Sequence, residues 1–170
     1  MMTNIEPART LSIYICTRGF SYAVMDNALT LIETNLISPK KFNGTKLLKK
    51  IKKVITSFGD VTLILEDHSS KSNRKGKRSK MINNKVYSWA KKRGIVVKTY
   101  SRDDVREVFS RWMAYTKYDI AQVLVKNIEG LKPFFFEPIK YPGREHNYEA
   151  IFTSVSLNEA YYFIDRTKGL

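Results

Sequence analysis

Between Val61 and Leu65 the chain has no face to give to water. Val61, Thr62, Leu63, Ile64 and Leu65 are apolar or β-branched in unbroken succession, without the alternation that marks a half-exposed strand. A strand built from them must be covered on both sides, which predicts a sheet sandwiched by helices with this strand lying centrally in it. Glu66 and Asp67 follow at once, and then Lys71, Arg74, Lys75, Lys77, Arg78 and Lys80 crowd into ten residues separated only by serine, asparagine and glycine. Carboxylates at a strand end can hold divalent ions against a phosphodiester, and neighbouring cations neutralise the polyanion that must approach them. The pattern points to phosphate chemistry.

The flanking sequence supplies the rest of such a sheet. Leu11, Ile13 and Ile15 alternate with Ser12, Tyr14 and Cys16 as a strand; Thr17-Arg18-Gly19 reads as a tight turn, Phe20 to Met25 as a second strand, Asp26-Asn27 as a turn and Leu29 to Ile37 as a third strand. Leu47, Leu48, Ile51, Val54 and Ile55 recur at helical spacing within Lys46 to Phe58, closed by Gly59. The basic segment reads as a loop that leads into a helix from about Lys80 to Arg93 ending at Gly94, and Ile95 to Tyr100 as a further strand. Ser101 is placed to cap a helix opening on Arg102-Asp103-Asp104, with Val105, Val108, Phe109 and Trp112 as its apolar stripe. A helix over Lys117 to Ile128 follows. Prolines 133, 138 and 142 make Leu131 to Gly143 a connector anchored by Phe134 to Phe136, and from His146 the pattern is helical again, with Ala150, Ile151, Ser154, Leu157, Ala160 and Tyr161 on a closing helix. The expected order is βββαβαβαα plus a final helix. Positions 11–165 form one domain between short tails at 1–10 and 166–170.

The charge of +14 over 170 residues makes a polyanion the expected partner, because released phosphate counterions drive association. Nucleic acid fits best, and the cationic run cannot be core. An anionic membrane would call for an amphipathic helix with a strongly apolar face, and none is legible. One cysteine, Cys16, excludes an internal disulfide and a multi-cysteine zinc site. No apolar stretch is long enough for a leader or a span, so the expectation is a cytoplasmic protein without membrane attachment. Cys16 reads as a buried, hydrophobe-like thiol, His68 as an exposed loop histidine, and Tyr14, Trp89 and Trp112 as packing residues.

Several stretches resemble the RuvC-type Holliday junction resolvase group of the ribonuclease H-like fold. Gly19-Phe20-Ser21-Tyr22-Ala23-Val24-Met25 is similar to its glycine-aromatic return strand, and Leu63-Ile64-Leu65-Glu66-Asp67 to the strand bearing its central glutamate. Tyr100-Ser101-Arg102 with Thr116-Lys117-Tyr118-Asp119 resembles the region that carries a lysine on a helix start, and Glu145 to Ser154 the final helix with the last metal-binding carboxylates. The resemblance implies an α/β fold with a mixed sheet, three antiparallel strands followed by two parallel ones, flanked by helices. It also implies Mg²⁺ or Mn²⁺ as cofactor, DNA as ligand and a homodimer. By position it assigns Glu66, Glu145 and Glu149 to the metal and to catalysis, with His146 as a possible nitrogen ligand, and gives Lys117 a scissile phosphate. Arg18 joins Lys71, Arg74, Lys75, Lys77, Arg78 and Lys80 as a nucleic-acid contact. Two positions depart from it. Tyr14 stands where the first strand of an active member carries a metal-bridging aspartate, and Thr153 where the last helix carries one. A tyrosine hydroxyl is a poor ligand for Mg²⁺. The expectation is therefore a binder of branched or duplex DNA with weak or lost nuclease activity. The alternatives are an active junction endonuclease with rearranged carboxylates and a protein-interaction module built on the same fold.

Overall fold

A computed structural model of the chain describes residues 7–69, 75–137 and 148–166. Three strands open it, β1 (Thr10–Cys16), β2 (Gly19–Asn27) and β3 (Thr30–Ile37), followed by α1 (Gly44–Ser57), β4 (Thr62–Glu66), α2 (Lys77–Lys92) and β5 (Val97–Tyr100). Then come α3 (Arg102–Ser110), α4 (Lys117–Asn127), a short 3-10 turn (Glu129–Phe134) and α5 (Glu149–Tyr161), which runs on into one π turn (Tyr162–Arg166). The sheet order is β3-β2-β1-β4-β5. β1 pairs antiparallel with β2, and β2 with β3, whereas β4 runs parallel to both β1 and β5. This is the mixed sheet expected, with β1 rather than β4 at its centre.

Period-two alternation divides β1 between two cores. Leu11, Ile13 and Ile15 join Phe20, Val24, Leu63 and Leu65 under α1 and α2, which contribute Leu47, Ile51, Ile55, Ile82, Val86 and Ala90. Tyr14, Cys16, Ala23, Met25 and Ile64 face the other way, under α3, α4 and α5. Both faces are covered, as the Val61 to Leu65 run requires. The tight β1–β2 turn depends on Gly19, because a Cβ there would stand 2.0 Å from the carbonyl oxygen of Ile37 on β3. Gly59, at φ +69°, sits in the left-handed conformation just past α1.

α5 is covered all round rather than along one stripe. The sheet lies on one side and α3 and α4 on the other, so its polar residues must find partners inside. Ser12 Oγ donates to the Ser154 carbonyl at 2.6 Å, Ser21 Oγ to the Ala150 carbonyl at 2.6 Å, and Asn158 Nδ2 to Ser12 Oγ at 3.0 Å and the Ala23 carbonyl at 3.1 Å.

Some expected boundaries move. α2 begins at Lys77, so Lys77, Arg78 and Lys80 are helical and not loop residues. α3 stops at Ser110, which leaves Trp112 beyond it, 42% exposed and stacked between Phe109 and Phe163 at 5.7 and 5.3 Å. The connector after α4 winds into the 3-10 turn, with Phe136 buried behind it. Among the described residues no helix is long and apolar enough to cross a membrane.

Candidate functional site

The parallel strands β1 and β4 end side by side, and a cleft of about 530 Å³ opens at that point. Tyr14, Cys16 and Thr17 enter it from β1 and its turn, and Glu66 from the last position of β4. Three helix starts close the rim: Lys75, Gly76 and Ser79 at α2, Thr116 and Lys117 at α4, Glu149 and Thr153 at α5. Arg102 and Arg106, one turn apart on α3, complete the wall.

Tyr14 does not merely pack. Its hydroxyl accepts a hydrogen bond from Lys75 Nζ at 2.5 Å, Lys75 also donates to the Ile15 carbonyl at 3.1 Å, and the ammonium lies 4.0 Å from the centre of the Tyr14 ring. Glu66 is 8% exposed. Its Oε2 faces His68 Nε2 at 3.2 Å, and its carbonyl accepts from Asn83 Nδ2 at 3.0 Å, which ties the end of β4 to α2. The His68 side chain is thus folded back and only 6% exposed, against the expectation of a solvated loop histidine. Asp67 turns away: its Oδ1 accepts from the amide and hydroxyl of Ser69 at 2.9 and 2.6 Å, so it shapes the loop.

Lys117 is the first residue of α4, where the helix dipole disfavours a cation. Glu149, in the first turn of α5, offsets this with an ion pair at 3.0 Å. The Thr116–Asp119 capping box holds the turn that carries Lys117. Thr153 lines the cleft, but its hydroxyl donates to the Glu149 carbonyl at 3.1 Å and stays on its own helix.

The structure therefore gathers Glu66, Glu149, Lys117 and Lys75 into one cleft and spreads the other expected contacts. Lys77 and Lys80 line a shallow groove between α1 and α2 together with Lys52, Lys85 and Lys92. Arg78 stacks over the ring of Phe42 at 4.5 Å. Arg18 sits in the exposed turn beside Thr17. Lys71, Arg74, Glu145 and His146 lie outside the described residues. Arg102 and Arg106 were missed by sequence reading, although their four-residue spacing on a capped helix was the available signal. Glu159 was missed as well. It is 4% exposed on α5, and burial pushes its carboxyl up to about 8.

A two-metal centre asks for several convergent carboxylates. Among the described residues no three His, Cys, Asp or Glu side chains come together to hold a metal ion. Glu149 is engaged by an ammonium, Glu66 by an imidazole, and the hydroxyl that replaces the first-strand acid by a second ammonium. These described residues do not fit a pair of divalent ions.

Neither a family model nor a curated protein sequence matches the chain. Solved structures do. The structure of Thermus thermophilus RuvC superposes with a TM-score of 0.66 at 13% identity, over 94% of this chain and 96% of that one. T. thermophilus RuvC in complex with a Holliday junction substrate superposes with a TM-score of 0.62 at 13% identity, over 93% and 96%. With the strand order and pairing described above, this likeness identifies the architecture: the chain has the RuvC-type ribonuclease H-like fold.

Proposed function

We propose that this protein binds branched or duplex DNA on a RuvC-like scaffold and that its nuclease activity is weak or lost. The observation that carries this reading is the end of β1, where Tyr14 presents a hydroxyl with a lysine ammonium on it in place of a carboxylate. The cleft keeps its cations while losing the acids that two-metal hydrolysis needs. The net charge of +14 and the lysines along α2 support a polyanionic ligand. A neighbour of the same fold solved with a Holliday junction supports branched DNA as the first ligand to try. A homodimer would place two such clefts about a two-fold axis, matching the symmetry of a four-way junction.

Mobility shift with a four-way junction and a linear duplex of the same sequence, repeated over a salt series, tests the binding. The expected result is a shift that weakens steeply with salt, and no shift at low salt overturns the reading. Cleavage of the labelled junction in Mn²⁺, run beside Glu66→Ala, tests the chemistry. Binding without cleavage is expected. Cleavage by the wild type that disappears in the variant would establish the active endonuclease instead.

A further inference from the structure

Resting on that reading, we infer that the cleft takes a backbone phosphate of the bound DNA without a divalent metal, the Lys75 ammonium standing where the fold would otherwise place the cation. Lys75, Arg102, Arg106 and Lys117 bring four positive charges to the cleft, and Glu66 and Glu149 bring two negative ones. Both carboxylates are already engaged, Glu66 by His68 at 3.2 Å and Glu149 by Lys117 at 3.0 Å. The described partners of Lys75 carry no charge. A phenol hydroxyl, a main-chain carbonyl and an aromatic face fix its position and leave its charge to act on a ligand.

Two consequences follow from elementary electrostatics. A divalent ion beside this ammonium meets like charge with no first-strand carboxylate to offset it, so metal is disfavoured where the lysine lies. A phosphodiester oxygen there meets a cation whose side-chain freedom is already restricted, so less ordering is needed on binding. The substitution of Tyr14 for an acid and the inward turn of Lys75 are then one change: the hydroxyl tolerates the ammonium as a neutral acceptor and leaves the cleft electropositive.

The test measures fluorescence anisotropy of a labelled four-way junction with the full chain, in EDTA and again with added Mg²⁺, for the wild type, Lys75→Met, Tyr14→Asp and Lys132→Met. Lys132 is an exposed cation on the 3-10 turn, where it faces Glu129, and controls for loss of a charge elsewhere. The wild type is expected to bind equally in both buffers. Lys75→Met is expected to bind about tenfold more weakly, with the log–log salt slope reduced by about one, and Lys132→Met to stay near the wild type. Tyr14→Asp is expected to weaken binding in EDTA by pairing with Lys75. Thermal unfolding of each variant separates lost contact from lost fold. Chemical-shift titration with a thymidine dinucleotide, its uncharged methylphosphonate analogue and inorganic phosphate identifies the group bound: shifts at Lys75 and Ile15 with the dinucleotide and none with the neutral analogue are expected. Affinity that requires Mg²⁺, or Lys75→Met binding as tightly as the wild type, overturns this inference while leaving DNA binding intact. Response to inorganic phosphate alone overturns a nucleic-acid strand as its ligand. A wild type that binds neither junction nor duplex overturns the reading beneath it.

Discussion

Burial of Glu159 in α5 pushes its carboxyl up to about 8 because the ionised form has no water around it, and among the described residues its Oε1 has no hydrogen-bond partner. The sign of the linkage follows from the raised value. Below the unfolded carboxyl's ordinary range near 4.5 both states are protonated, and Glu159 costs the fold nothing electrostatically. As pH rises, the unfolded chain ionises first, so stability falls until the folded carboxyl also ionises near 8 and then levels off. Glu159→Gln keeps the shape and removes the titration. Thermal unfolding of this variant is expected to match the wild type near pH 4 and to rise above it by about 5 °C or more at pH 8. Parallel curves across that range would mean that water reaches the carboxylate. The neighbouring Tyr162, its hydroxyl 3.1 Å from Thr10 Oγ1, is pushed up to about 12, mainly by burial. It stays a phenol over the same range.

At the level of elements, the contacts that orient the site run through α5. Asn158 bridges this helix to β1 and β2, donating to Ser12 Oγ and to the Ala23 carbonyl from a fully buried position. Asn158→Ala leaves those acceptors short of a donor and opens a small void. Urea unfolding is expected to register a loss of about 2–3 kcal/mol, and a loss below about 0.5 kcal/mol would mean that the seam closes without it. This seam also marks where sequence reading stops. Strands β1 to β4 and helices α1, α3 and α4 were legible because period-two and period-3.6 patterns and the Ser101 and Thr116 caps act locally. That α5 is enclosed on every side was not, because Ser154, Ser156 and Asn158 read as a polar face until tertiary packing supplies their partners. The site divides in the same way. Glu66, Glu149 and Lys117 were legible from their places at a strand end and at helix starts. The inward turn of Lys75 was not, since nothing local distinguishes it from the other cations of its run.

For the molecule as a whole, the basic run serves two surfaces, because α2 begins in its midst. Lys75 lies at the cleft, whereas Lys77, Lys80, Lys85 and Lys92 follow the outer face of α2 beside Lys52 of α1. Lysines spaced along a helix suit a row of backbone phosphates, and each phosphate neutralised releases a counterion whatever the base sequence. Contacts of this kind set affinity and salt dependence but carry no preference for junction over duplex. Replacing Lys77 and Lys85 together by methionine is therefore expected to lower the log–log salt slope by about two and to weaken junction and duplex equally, leaving their ratio unchanged. Equilibrium binding to both DNAs at four or more salt concentrations measures the slope and the ratio together. A junction-to-duplex ratio that falls with the slope would place branch discrimination on α2 rather than in the cleft. An unchanged slope would mean that α2 faces away from the DNA, leaving the outer lysines as a solvated surface.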